Sequence, residues 1–479
     1  MLNITIKNRK DIFESDLSKI FLPVILREIC SCTPKHRRSG MMMALMPIIS
    51  IYANRLRLKY VKDTGKITAP TLQCYVFGPS SVGKGKVDEY QEFLSQKIQK
   101  LDAAERAKEE AYLAEKRRGG NSKKGEAPEC TVMIFPEKTT SFMMVQRAMS
   151  AMRKYNNDNL LTYQFSAELK SIIAAHKSEF IDIDSLLCKG YDLGSKTGAE
   201  TGNIEAARGL VDINLSVCYC CTENILYKFF VGDSLTAGAL NRAILIPFNG
   251  KRGNYLMMSD EQKTTISNYL DLMLANIFDS SGNLMPTFFL DTAFLDPHIE
   301  KFISDIETIT DSPLCKAPDT IDEFSARASV SGFRVAALCL YLYKLEQQND
   351  KENALSDQEI EQNVISIYKF ATYYTLNNTL DKFGHKHHDV ILQNRANQAY
   401  ENEFSDAGLY DFLDGEFTYR ELTKLMEEMN QISDPKNRIS QWKTQNLIVE
   451  ITPGVYQKII EEEDNETKDK GHTAKDKRL

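Results

Sequence analysis

Five short apolar runs punctuate the chain between residues 72 and 248: Leu72–Phe77, Thr131–Phe135, Leu160–Phe165, Ile213–Cys220 and Ala243–Phe248. Each has the length of a buried strand, and the stretches between them carry helical periodicity. Runs of this kind predict an α/β fold with a mostly parallel five-stranded sheet covered on both faces. Ligand loops in such a sheet lie at the carboxyl ends of the strands. Outside the runs the period is helical. Residues 1–68 show it in Phe21–Ile29 and Met41–Tyr60, and residues 251–403 show it most clearly in Phe324–Leu338, continuing to Tyr343. His36, Arg37 and Arg38 read as a solvated loop, and Met41, Met42, Met43 and Met46 as core packing.

Two stretches depart from this plan. Glu92–Arg118 has mixed charges at i,i+4 spacing and few apolar anchors before Gly119–Gly125, so 95–128 is expected to be an exposed helical protrusion ending in a flexible loop. From about 404 the elements shorten. Helices are expected at Leu409–Leu413, Thr418–Met426 and Pro435–Leu447, then a hairpin of Ile448–Ile451 and Val455–Lys458, the order of a winged helix over 404–460. Thr418 and Glu421 have capping-box spacing, and the sole tryptophan, Trp442, reads as core. Residues 461–479 are charged and expected to be disordered.

The first apolar run breaks into Gly78-Pro79-Ser80-Ser81-Val82-Gly83-Lys84-Gly85 and then into a charged helical stretch. Strand, glycine loop and helix in that order are the context of a phosphate-binding loop, whose inward N–H groups and helix N-terminus favour an anion. Lys84 would reach the β- and γ-phosphates of ATP. Gly85 stands where a Ser or Thr ordinarily offers Mg²⁺ a hydroxyl. The plainer alternative is a glycine turn with no ligand.

Hydrolysis needs a carboxylate on a neighbouring strand, and the third run leads into Ser166-Ala167-Glu168. Glu168 is the candidate to orient the attacking water, or else an exposed glutamate at a helix start. Thr222 and Asn224, after the fourth run, have the place of a γ-phosphate contact or a strand-end cap. Arg242, between a loop containing Gly232 and Gly238 and the fifth run, would reach a phosphate in its own subunit or across an interface. Arg327 and Arg334 on the later helix are further candidates for that role, with surface or helix packing as the plainer reading of each. The glycine-punctuated stretch 189–208 reads as an inserted loop whose Lys189, Lys196 and Arg208 would touch DNA phosphates, or as a surface loop. Lys436, Arg438 and Lys443 lie on or beside the third helix of the winged-helix pattern, the one that enters a DNA groove when such a unit binds DNA. His385, His387 and His388 have no acidic or cysteine partner spaced to complete a metal site and read as a solvated helix end.

Bulk properties narrow the classes. In 479 residues the net charge is −7, which excludes a wholly basic nucleic-acid coat but not a local basic channel. The ten cysteines lack C-x-x-C pairs, and several sit in apolar runs such as Leu215–Cys221, the pattern of reduced thiols in a cytoplasmic protein. No signal-peptide layout is present, and Met41–Ile51 is too short to span a membrane.

Taken together, the glycine loop with Gly after its Lys, the strand-end Glu168, the Cys-Cys-Thr-Glu strand end at Thr222, Arg242 before the fifth strand and the terminal winged helix resemble a mobile-element and prophage P-loop family of Bacteroidetes. That family is similar to the helicase portion of phage and plasmid primase–helicases. The resemblance spans roughly residues 20–460, and Ser325–Leu345 is similar to the family's Arg-containing helix. It implies a RecA-like ATPase core using ATP and Mg²⁺ and a homo-oligomeric ring on DNA, single-stranded by preference, with other replication or transfer proteins as partners. Ala167 stands where relatives often carry a second acidic residue, so Mg²⁺ would be held by Glu168, water and the phosphates. No primase-type acidic cluster is evident.

Overall fold

A computed structural model describes residues 17–61, 67–119, 128–156, 158–176, 183–199, 209–235, 238–250, 253–350, 352, 354–403, 412–428, 434–444 and 447–459. They fall into two compact units, one through Val390 and one from Ile391.

The first unit is built on a five-stranded, all-parallel sheet: β1 (Gln73–Phe77), β2 (Ile134–Phe135), β3 (Leu161–Ser166), β4 (Asn214–Cys221) and β5 (Ala243–Pro247), in the order β2-β3-β4-β1-β5. This α/β architecture is compatible with a RecA-like core. Successive side chains of a strand point to opposite faces. Cys74 and Val76 accordingly enter one core with Cys218, Cys220, Ile244 and Ile246, while Tyr75 and Phe77 enter a second with Val217, Tyr219 and Leu245. Both faces are covered, which is why the strands are buried almost throughout and mostly apolar.

Helix α1 (Arg38–Tyr52) packs on β1, β3, β4 and β5, and every residue from Gly40 to Tyr52 is buried. The methionines are core, as their unbranched side chains suit a helix hemmed in all round. Pro47 lies inside this helix and has no N–H for the carbonyl of Met43. The Cys74 thiol of β1 donates to that carbonyl instead, at 3.2 Å. Arg37, expected in a solvated loop, is buried and stacks over the Phe248 ring at 4.7 Å.

The sequence boundaries near residues 68 and 250 do not separate compact bodies. Leu26, Ala44, Val335 and Tyr368 share one apolar cluster with the sheet. The helices that connect the strands cover only part of each face, so segments before and after the strands complete the cores. Helix α2 (Gly85–Gly119) is likewise less of a protrusion than its charges imply. Asp102 accepts from the N–H groups of Met133 (2.9 Å) and Ile134 (2.8 Å), and Glu109 pairs with Arg147 of α3 (Ser141–Lys154) at 2.7 Å.

Two long helices, α4 (Pro318–Asn349) and α5 (Asp357–Glu403), run on from there. They meet where Gly332 faces Thr372, close enough that a Cβ on Gly332 would collide with the threonine hydroxyl and crowd its backbone nitrogen. His387 is not on a solvated helix end: it is buried within α5, 3.2 Å from both Thr320 Oγ1 and Glu323 Oε2.

The second unit contains β6 (Glu416–Thr418), α6 (Tyr419–Glu428), α7 (Pro435–Thr444), β7 (Ile448–Thr452) and β8 (Val455–Lys458), with sheet order β6-β8-β7 and antiparallel pairing. Trp442 is fully buried with Phe417, Leu422, Met426 and Ile439. Thr418 and Glu421 exchange capping bonds: the Thr418 N–H donates to Glu421 Oε2 (2.7 Å) and the Glu421 N–H to Thr418 Oγ1 (3.2 Å). Strand β6 was not anticipated. Of the helix expected at 409–413, residues 409–411 lie outside the described residues, as does the tail 461–479.

Gly332→Ala is expected to lower the unfolding free energy by about 1–3 kcal/mol through overpacking, read as an earlier urea or thermal transition, with secondary-structure content unchanged.

Candidate functional site

The glycine loop leaves the sheet between β4 and β5. The Gly78 N–H donates to the Cys221 carbonyl (3.3 Å), and the Phe248 N–H donates to the Phe77 carbonyl (2.7 Å). A Cβ on Gly78 would collide with the Phe248 carbonyl oxygen, so only glycine fits. Ser81 (φ 67) and Gly83 (φ 98) then take left-handed backbone on either side of buried Val82. Successive turns of this kind point N–H groups into one concavity. Helix α2 opens at Gly85, where a Cβ would meet nothing within 4 Å. The Lys84 ammonium donates to the carbonyls of Gly78 (2.6 Å) and Pro79 (2.8 Å), and burial lowers its pKa. Tyr255 lies against Gly83, its ring 3.1 Å from where a Cβ would stand.

A cavity of about 530 Å³ at this edge brings together Ser81, Lys84, Asp88, Glu168 and Thr222, with Ala167, Lys170 and Cys221 also on its wall. Glu168 is exposed just past β3, and its carbonyl accepts from the Ser171 N–H (2.8 Å) to start the helix Leu169–His176. Thr222 follows β4 and begins the helix Glu223–Phe229 with its carbonyl, its hydroxyl making no capping bond. Three separate sequence candidates thus line one cavity: the loop, Glu168 and Thr222. Asn224 is exposed and outside it. Asp88 and Tyr255 were missed. Asp88 had one usable signal, its place one helical turn beyond Lys84.

Arg242 lies at the other edge of the sheet. In the registers, Gln73 stands beside Ala243 and Phe77 beside Pro247, so five residues of strand, about 16 Å, separate Arg242 from its own loop. Its backbone therefore stands at the opposite edge of the sheet from its own loop. Its guanidinium pairs with Asp192 (2.7 Å) and donates to the Gly238 carbonyl (2.9 Å). Burial acts to raise the Asp192 pKa, but Arg242, Arg327 and Arg334 outweigh it and hold the carboxyl below its ordinary value. Arg334 is fully buried, donates to the Thr71 and Tyr191 carbonyls and stacks on the Tyr191 ring at 3.8 Å, a packing role.

The stretch 189–208 is not a plain loop. Lys189 is half-buried on the helix Ile183–Tyr191, whose Leu186, Leu187 and Tyr191 are buried. Lys196 is exposed at the start of a hairpin formed by Lys196–Ala199 and Gly209–Asp212, and Arg208 lies outside the described residues. In the second unit Lys436 is exposed and Arg438 half-buried on α7, whereas Lys443 pairs with Glu450 and sits over the Tyr456 ring at 5.1 Å.

No protein-family model matches the chain, and no curated protein matches it either. Among the described residues no helix is long and apolar enough to cross a membrane, and no group of three His, Cys, Asp or Glu is placed to hold a metal ion by itself.

All ten cysteines are free thiols, and burial pushes Cys220 and Cys221 up to about 12. Iodoacetamide at pH 8 is expected to label half-exposed Cys315 first and to leave Cys218, Cys220 and Cys221 unmodified until denaturant is added, as read by peptide mass mapping.

Proposed function

We propose that the chain is an ATP-binding, ATP-hydrolysing protein built on a RecA-like P-loop core, acting in helicase fashion on DNA during replication or transfer of a mobile genetic element. One observation carries the reading: a single cavity at the carboxyl edge of a parallel sheet joins the left-handed loop, Lys84, Glu168 and Thr222. The loop N–H groups and the start of α2 would cradle phosphate oxygens, and Lys84 would exchange its two loop carbonyls for them. Glu168 would orient the attacking water and accept its proton, and the Thr222 hydroxyl would donate to the γ-phosphate. Mg²⁺ would enter with the nucleotide, and the carboxylate oxygens on the cavity wall are the hard donors that suit it.

Arg242, remote from its own loop, would serve the phosphates of a neighbouring copy, which couples hydrolysis to a homo-oligomeric ring. Single-stranded DNA would be met by Lys189, Lys196 and Arg208, and the second unit, as a winged helix, would contribute Lys436 and Arg438. Lys443 would join them by exchanging its exposed pairing with Glu450 for a phosphate. Other replication or transfer proteins of the element would complete the assembly in the cytoplasm. A second reading, a nucleotide-binding module with no useful turnover, is favoured by Gly85 and Ala167, which lack the usual metal hydroxyl and second acid.

The test is ATP turnover by the purified chain with Mg²⁺, with and without single-stranded DNA. Turnover stimulated by DNA, and reduced at least about 100-fold in both Lys84→Ala and Glu168→Gln, is the expected result. Lys84-dependent ATP binding with no turnover above the Glu168→Gln level would replace the motor by the module.

A further inference from the structure

Gly85 removes the hydroxyl that a nucleotide-bound cation ordinarily meets, yet the same cavity wall offers a substitute. Asp88 lies on the first turns of α2, three residues beyond Gly85 and four beyond Lys84, so it shares their side of the helix. Side chains on a helix tilt toward its N-terminus, which carries this carboxylate toward the loop rather than away from it. Gly85 does not stand in the way, because no atom lies within 4 Å of its missing Cβ. Asp88 lines the same cavity as Glu168 and Thr222, and Asp88 and Lys84 both act electrostatically on the thiol of Cys220 at the end of β4.

Asp88 shares the cavity wall with Lys84 and Lys170 but, itself solvent-exposed, is bonded to neither. Among the described residues it makes no hydrogen bond or ion pair. The lysines next to it are engaged elsewhere, Lys84 on the Gly78 and Pro79 carbonyls and Lys86 on Glu89 at 2.6 Å. Burial raises its pKa, and Glu92 and Glu137 add to the rise. An unpaired carboxylate in a field of further carboxylates is stabilised by a hard divalent cation.

Resting on the nucleotide-site reading above, we infer that Asp88 replaces the missing hydroxyl at position 85 as the protein's contact, direct or through water, to the divalent cation that accompanies the nucleotide. Glu168 is then left to orient water instead of serving both tasks.

The test separates this inference from the reading beneath it. A fluorescent ADP is titrated into wild type, Asp88→Asn, Gly85→Ser and the double variant, first in EDTA and then with Mg²⁺. In EDTA, binding that depends on Lys84 tests the nucleotide site alone, and Asp88→Asn, which takes a negative charge away from the phosphates, is expected to bind at least as tightly as wild type. On adding Mg²⁺, wild type is expected to tighten by about 10-fold or more, Asp88→Asn by less than about 2-fold, and the double variant to regain most of the gain through the restored hydroxyl. Electron paramagnetic resonance of Mn²⁺ with ADP reads the same site directly: Asp88→Asn should return the cation to the spectrum of Mn²⁺–ADP in solution, and Gly85→Ser should rescue it. Matching circular dichroism and thermal transitions verify that the variants are folded. A full Mg²⁺ gain in Asp88→Asn, or no rescue by Gly85→Ser, overturns the role of Asp88 while the nucleotide site stands. No Lys84-dependent binding in EDTA or Mg²⁺ overturns both.

Discussion

The order of the strands is the constraint on which the rest depends. β1 lies between β4 and β5, the two sheet strands that come last in the chain. Parallel neighbours cannot be joined by tight turns, so each adjacency requires a crossover, and the loop after β1 emerges into surroundings built from residues far away in sequence. Cys221 and Phe248 close on Gly78 from the two sides, which leaves no room for a side chain and gives the loop one exit. Lys84 and the start of α2 follow from that exit. The same order delivers Glu168 from β3 and Thr222 from β4 to the same edge.

A sheet buried on both faces also explains why so much of the chain is committed to covering it. α1 is wedged against four strands and has no solvent face, so its apolar side chains show almost no amphipathic period. Its internal proline is tolerated because the carbonyl it frees lies against β1 and meets the Cys74 thiol. Close fit of this kind recurs where Gly332 meets Thr372.

The two edges of the sheet hold different electrostatics. At the carboxyl edge, Lys84, Lys170, Asp88 and Glu168 line an open cavity, and among the described residues the Lys84 ammonium is bonded only to loop carbonyls that a stronger acceptor can displace. At the amino edge, Asp192 is buried among three arginines, one of them fully enclosed by carbonyl acceptors and an aromatic ring. The first arrangement can be rewritten by a ligand. The second is held by packing, and only Arg242 and Arg327 there retain partial exposure.

By itself, the sequence determined the strands of the core within a residue or two at most ends, except that β2 forms only at Ile134–Phe135. It also determined the glycine loop, the capping box at Thr418 and Glu421 and the burial of Trp442, because each depends on local pattern: apolar runs, a spacing of three or four residues, a glycine next to a turn. Tertiary structure decided what depends on which distant segments meet. It sent Arg242 to the far edge from Lys84, buried Arg37 and His387, made part of 189–208 a helix and a hairpin, and drew Asp88 and Tyr255 to the loop. Periodicity reports whether a residue faces inward. Charged side chains such as Arg37 and Arg242 acquire their place from partners contributed by other crossovers, and no local spacing encodes those.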